Sequence, residues 1–351
     1  MPGSLPSQPG AASEKRELVC PCTSPPAWET CVFSITNGRI AFHLFCNETN
    51  LSASAGGERT ESMRIAVLIL LHKWTDQQKR LVEFLAREYE VFIHADKRSK
   101  LTIETDLPRV HVYSEYKNYW GHHSVNDAAV FLFRQAAKLG FDRYLLISGD
   151  DVPIKPLSEI TRFFATNDLE FFEHHLMPRD HWPGNGGFDR VDFFYPKVLS
   201  RGPSHPLTVK FTILLDRLNR RLLIPAMRKV ARRPRMPVEY WGGGLWLNLS
   251  AHCVDQMLAW LDRNPWYPRK FHGTRCADEI FFQTLIFNFV PDVEVRNDHL
   301  RYIDWHSGPE FPRVMRGSDL EKMRQSPALF ARKFDHNVDP AVIDAVYAGL
   351  G

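Results

Sequence analysis

Residues 144–156 read YLLISGDDVPIKP. An apolar run that stops at glycine and two acids is the pattern of a strand buried on both faces, and Pro153 and Pro156 close it off. An open α/β sheet gathers its ligand chemistry beyond the carboxyl ends of its strands, so Asp150 and Asp151 stand where a site belongs. Neighbouring side chains on an extended strand point to opposite faces. The pair therefore grips one metal ion only if the chain turns sharply between them. The other readings are a strand-end turn, with the carboxylates bonding backbone N–H groups, and contact with a substrate.

Upstream, short apolar runs alternate with helical patterns. IAVLILL (65–71) is followed by a helix over 76–89, with Leu81, Phe84 and Leu85 on one face. VFIHAD (91–96), VHVYS (110–114) and a helix over 124–139 then lead into the opening run. This βαβ-type series predicts an α/β fold with a mostly parallel sheet flanked by helices. Downstream, residues 169–174, 189–195, 245–249 and 293–296 are further strand candidates, and Pro183–Gly187 reads as a loop.

The composition fits a globular enzyme or binding protein. In 351 residues, 44% are hydrophobic and the formal charge is +3, too small a balance to argue for a nucleic-acid binder, so any partner is sought in local clusters. No apolar run reaches the length of a membrane span. Four of the six cysteines, Cys20, Cys22, Cys31 and Cys46, lie in the first 62 residues. Their spacing is not that of a zinc site, and the usage fits a reduced, cytoplasmic protein. Residues 1–62, rich in Pro, Ser, Gly and Ala, read as a disordered or non-native leader, with Met63 as the natural start.

Between Arg201 and Arg235, ten basic residues face only Asp216 and alternate with Phe211, Leu214, Leu218 and Leu222. This reads either as a basic amphipathic helix for a membrane surface or anionic acceptor, at the inner face of the membrane, or as a solvated helix face. His122-His123 and His174-His175 are sequence neighbours, which rarely converge on one ion, so core or surface roles are favoured. Trp182, Trp241, Trp246 and Trp305 are candidates for stacking on sugar rings and equally for core packing.

Two further stretches carry chemistry. ADEIFFQTL (277–285) sets Asp278 and Glu279 at the start of an apolar helix, where the helix dipole alone favours acids. FARKFD (330–335) flanks a basic pair with phenylalanines, which suits a solvated pair or an anion site.

The ordered set HADK (94–97), YWGHHS (119–124), ISGDDVPIKP (147–156), WGGGLWLNLS (241–250), ADEIFFQTL (277–285), LRYIDW (300–305) and LFARKFD (329–335) resembles the core-2/I-branching β-1,6-N-acetylglucosaminyltransferases and peptide O-xylosyltransferases, glycosyltransferase family fourteen, in a bacterial-type form. The resemblance spans residues 63–335. It implies a GT-A fold, with a Rossmann-like nucleotide half over about 63–160, an acceptor half over about 161–340 and a tail over 341–351. It also implies inverting transfer of N-acetylglucosamine or xylose from a UDP-sugar to a glycan or lipid-linked glycan, with no metal and no cofactor beyond the donor.

Residue by residue, the resemblance makes Glu279 the catalytic base. Lys333, with Arg332 and either Arg313 or Arg316, holds the diphosphate, and Asp96 meets the nucleoside. Asp150, Asp151, Trp246, Asp278 and Trp305 line the sugar and acceptor pocket. Gly242-Gly243-Gly244 and Ala251 depart from the family pattern, as does Ser307 where branching enzymes carry tyrosine; these touch the acceptor contacts. Two rival classes are a metal-dependent hydrolase using Asp150 and Asp151, and a non-catalytic glycan-binding module.

Overall fold

A computed structural model describes the backbone of residues 32–36 and 39–43, and residues 63–195, 214–215, 217–223, 225–226, 233–309 and 311–351. The chain divides into two units, Met1–Thr60 and Glu61–Gly351. In the first, β1 (Val32–Thr36) and β2 (Arg39–His43) pair antiparallel, with Thr36 opposite Arg39. Only Asn37-Gly38 intervenes, the dipeptide favoured in two-residue hairpin turns.

The second unit opens with β3 (Ile65–Leu71), α1 (Asp76–Leu85), β4 (Glu90–Ala95), β5 (Val110–Tyr113), α2 (Ser124–Ala137) and β6 (Arg143–Ser148). There follow β7 (Val152–Pro153), α3 (Leu157–Ala165), β8 (Glu170–Phe171), β9 (His175–Leu176), α4 (Asp189–Asp192), β10 (Trp241–Gly242), β11 (Asn248–Ser250), α5 (Ala251–Arg263) and α6 (Trp266–Lys270). The chain ends with α7 (Phe281–Phe289), β12 (Val295–Arg296), β13 (Arg301–Ile303), α8 (Leu320–Gln325), β14 (Phe330–Arg332) and α9 (Pro340–Ala348).

One mixed sheet of seven strands, in the order β12-β8-β11-β6-β3-β4-β5, organises the unit. β6, β3, β4 and β5 run parallel, while β11 is antiparallel to both β6 and β8. The central strands are apolar throughout because both faces are covered. Leu68, Leu132, Phe133, Leu249 and Phe282 belong to the core on one face, and Ile69, Leu81, Leu85, Ile160 and Phe164 to the core on the other. A second sheet, β13-β14-β7, places Ala331 opposite Val152. It thereby brings the segment after β14 to the acids that precede β7.

Two expectations change here. Residues 189–192 form the short helix α4 rather than a strand: Asp192 N–H donates to Phe188 O at 2.9 Å, and the Asp192 carboxylate binds Arg235 Nε at 2.6 Å. Nor is 341–351 a loose tail. Asp339 caps α9 by accepting from Val342 N–H at 3.1 Å, with Pro340 in the first turn, an arrangement that suits a helix start. Val342, Ile343, Val346 and Tyr347 are buried, and Tyr347 meets Phe84 edge to face at 5.3 Å. No helix among the described residues is long and apolar enough to cross a membrane. Most of the basic stretch 201–235 lies outside the described residues.

Candidate active site

The carboxyl ends of β3, β4 and β6 carry three charged groups to one edge of the sheet. After β3, Lys73 Nζ reaches Asp150 Oδ1 at 2.9 Å. After β4, the buried Asp96 carboxylate takes the N–H groups of Arg98 and Asn118, at 2.9 and 3.0 Å, together with the Arg98 guanidinium. That guanidinium lies 4.3 Å over the Tyr119 ring. Asp96 thus folds the loop after β4 onto the segment before α2. After β6, the chain does turn between the two acids. Asp151, fully buried, accepts from Ser148 N–H at 2.6 Å, which is the strand-end turn, while Asp150 faces Lys73.

β13 and β14 supply cations to the same place. Arg332 Nε lies 3.6 Å from Asp151 Oδ1, and its guanidinium stacks 4.0 Å over the Trp246 ring. Arg301, 4% exposed, donates to Asn248 Oδ1 at 2.8 Å and to Leu146 O at 3.0 Å. Burial raises the Asp151 pKa, and the charges of Arg332 and Arg301 oppose that rise. Burial in turn lowers Arg301 to about 10.

Lys333 follows directly, and its ammonium makes no ion pair among the described residues. Arg313 does not share that freedom. Its guanidinium binds Asp304 at 2.9 Å and also Asp319, so two carboxylates already occupy it. Arg316 is exposed, and its neighbour Met315 donates its N–H to Lys333 O at 2.8 Å. Trp305 is 52% exposed, on a turn that Asp304 holds through the His306 and Ser307 N–H groups.

The second acid pair sits on a single 3-10 turn, Ala277–Glu279, ahead of α7. Cys276 enters it with left-handed backbone, φ 48°, a conformation that costs a non-glycine residue about 1–2 kcal/mol. Its N–H is held by Gly121 O at 2.7 Å. The half-exposed Glu279 carboxylate pairs with Arg190, whose guanidinium lies 3.8 Å over Trp182. Asp278 Oδ1 is buried without a hydrogen bond. Burial and the neighbouring Glu279 charge push the Asp278 carboxyl up to about 7.

The glycine run locks this turn in place. Gly243 N–H donates to Glu279 O at 2.9 Å. A Cβ on Gly243 would sit 1.9 Å from Glu173 O, and one on Gly242 would sit 2.7 Å from Trp182. Only glycine allows so close an approach. Contacts therefore run from Glu279 through Arg190, Trp182 and the glycine run to Trp246, Arg332 and Asp151. The arrangement joins a solvent-reachable carboxylate, an aromatic wall and an unpaired ammonium.

A family model described as Core-2/I-Branching enzyme matches residues 65–326. The chain belongs to this family. No curated protein matches it. Membership makes it a glycosyltransferase, with a sugar donor and a glycan acceptor, and the seven-stranded mixed sheet is of GT-A type.

In this glycosyltransferase Arg332 meets both Asp151 and Trp246, Asp150 pairs with Lys73, and Lys333 follows Arg332 in the chain. Glu279 and Asp278 join them only through the glycine run. Asp96 lies along the same sheet edge. Arg313 is drawn away to Asp304 and Asp319, and Trp305 stands on an exposed turn. Sequence reasoning missed Lys73, Arg190 and Arg301. Lys73 had a signal, since it follows a buried strand at its carboxyl end. Arg190 had none: it reaches Glu279 across 89 residues of sequence. A concavity lined by Met63, Asp142, Arg143 and Ser250 opens at the amino ends of β3 and β6. That is the wrong edge for the chemistry.

Proposed function

We propose that the chain transfers N-acetylglucosamine or xylose from a UDP-sugar to a glycan or lipid-linked glycan hydroxyl, with inversion and without a metal. The observation that carries this reading is the half-exposed Glu279 carboxylate, held by Arg190 beside the Trp182 ring. An acceptor hydroxyl is a poor nucleophile until a positioned carboxylate takes its proton. Glu279 removes that proton as the oxygen bonds to the anomeric carbon. On the opposite face the bond from that carbon to the diphosphate oxygen breaks, and UDP leaves with the electron pair. Arg190 aims the carboxylate.

Negative charge grows on the departing diphosphate, and cations placed there act in the transition state. Lys333 supplies one. Arg316 supplies the second rather than Arg313, because two carboxylates bind Arg313 while Arg316 is exposed next to the strand that carries Lys333. Asp150 and Asp151 serve Lys73, Arg332 and Arg301, so amino-acid cations occupy the room that a hydrolase's divalent ion would need. The reaction compartment in this reading is the cytoplasm, with the acceptor presented at the membrane face.

A panel of UDP-sugars tests the proposal, with UDP release and binding measured with and without EDTA. UDP-GlcNAc or UDP-xylose should be consumed at an unchanged rate in EDTA. Full loss in EDTA with recovery in Mn²⁺ would overturn the metal-free reading. Glycan binding without consumption of any donor would revive the non-catalytic module.

A further inference from the structure

His123 sits at the start of α2, Asp127 lies one turn further on the same helix face, and His272 follows α6. One ligand atom from each residue lies within 4.8 Å of the others. His123 Nε2 is 3.8 Å from Asp127 Oδ2, and the His123 ring stacks on the His272 ring at 4.1 Å. The pair His122-His123 offered no converging set in sequence. The partners of His123 arrive instead from the next turn and from a segment far along the chain.

We propose that His123, Asp127 and His272 form a binding site for a borderline divalent transition metal such as zinc, cobalt or nickel. Two imidazole nitrogens and one carboxylate oxygen are a donor set such ions accept, whereas magnesium and calcium require oxygen ligands. Three protein ligands leave a fourth position for water. Zinc–nitrogen bonds of about 2.0–2.1 Å demand ligand atoms about 3.4 Å apart around a tetrahedral ion. Side-chain rotation supplies that contraction, because His272 is exposed and His123 and Asp127 are half-buried.

The Asp127 carboxylate is half-buried and gains a counter-charge when a cation enters.

The position gives the ion a role. His123 lies two residues after Gly121 and His272 four before Cys276, and Gly121 O already accepts from Cys276 N–H at 2.7 Å. A bound ion reinforces that junction and so stiffens the turn that carries Asp278 and Glu279. It shares no residue with the groups assigned to the donor or the base.

The test uses the full chain, freed of metal by chelation and desalting. It is titrated with zinc by calorimetry and with cobalt by visible absorption. One equivalent should bind, and zinc should raise the melting temperature. His272→Ala and His123→Ala should each weaken binding at least about tenfold and remove the thermal gain. His252→Ala, at an exposed histidine elsewhere, should keep both. Absence of binding up to millimolar zinc, or binding that both variants leave intact, overturns the site. If His123→Ala fails to fold, the exposed His272→Ala decides alone. No readout involves a sugar nucleotide, so the result stands or falls apart from the donor reading.

Discussion

Two pairs of adjacent acids, Asp150-Asp151 and Asp278-Glu279, look alike in sequence and differ in how many cations they meet. The first pair has Lys73, Arg332 and Arg301 around it. Among the described residues the second is paired with Arg190 alone, on Glu279, and Asp278 carries a carboxyl pushed up to about 7. The acids of the first pair, matched by fixed cations, tie strands together. In the second pair Asp278 can take up and release a proton near neutrality, and the carboxylate of Glu279 beside it is open to solvent. The first pair follows a strand and the second precedes a helix, and their charge balance differs as well.

The largest effect that follows concerns stability. Asp151→Ala leaves Arg301 and Arg332 uncompensated in the core and should cost about 3–5 kcal/mol, as breaking a buried pair from one side does. Urea unfolding measures it, and a loss below about 1 kcal/mol would deny the first pair its structural role.

Next comes chemistry without instability. Glu279→Gln should slow transfer by at least about a hundredfold while the unfolding midpoint and donor affinity stay near wild type. An active Glu279→Gln enzyme removes this residue from the mechanism.

Lys333→Ala is expected to weaken UDP-sugar binding roughly tenfold, the scale of one charge-assisted hydrogen bond, with no response to EDTA. Arginine at this position should restore part of the loss, because its planar fork need not reach the same oxygens. Calorimetry on the donor reads both. A silent Lys333→Ala would shift the diphosphate to other cations.

The smallest effect lies in pH dependence. The folded-state pKa of Asp278 stands above the unfolded one, so the folded chain holds the proton longer. The stability this confers is complete below about pH 4 and is lost as pH rises through about 7. Asp278→Asn removes that loss. Melting temperatures of variant and wild type should nearly coincide at about pH 5 and diverge in favour of the variant by about pH 8. Parallel curves would show that Asp278 carries no such proton.

The sheet was legible because its signal is local. Seven apolar residues at 65–71 and the run at 144–148 admit few alternatives once helical patterns separate them. Motif order identified the family because it survives in one dimension. The expectation at 189–195 failed because Val191, Asp192 and Phe193 are all buried and only Phe194 is exposed: the apolar residues suggest alternation, but the first turn coils onto Phe188. Arg313 rested on a loose stretch of motif, which carried no sign of its pairing with Asp304 and Asp319. The Arg190–Glu279 contact was invisible because pairwise contacts between distant segments leave no periodic trace.

The second sheet has a consequence for how the chain is made. β7 lies at residues 152–153 and its partner β14 at 330–332, while β6 waits for β11 at 248–250 and α1 for α9 at 340–348. On the ribosome, the amino-terminal half therefore emerges with one flank of β6 unpaired and Asp151 lacking both arginines. Long-range pairing of this kind is slow and leaves strand edges exposed. A fragment ending near residue 160 should not be a folding unit. The amino-terminal half becomes complete only when the last tenth of the polypeptide has been synthesised.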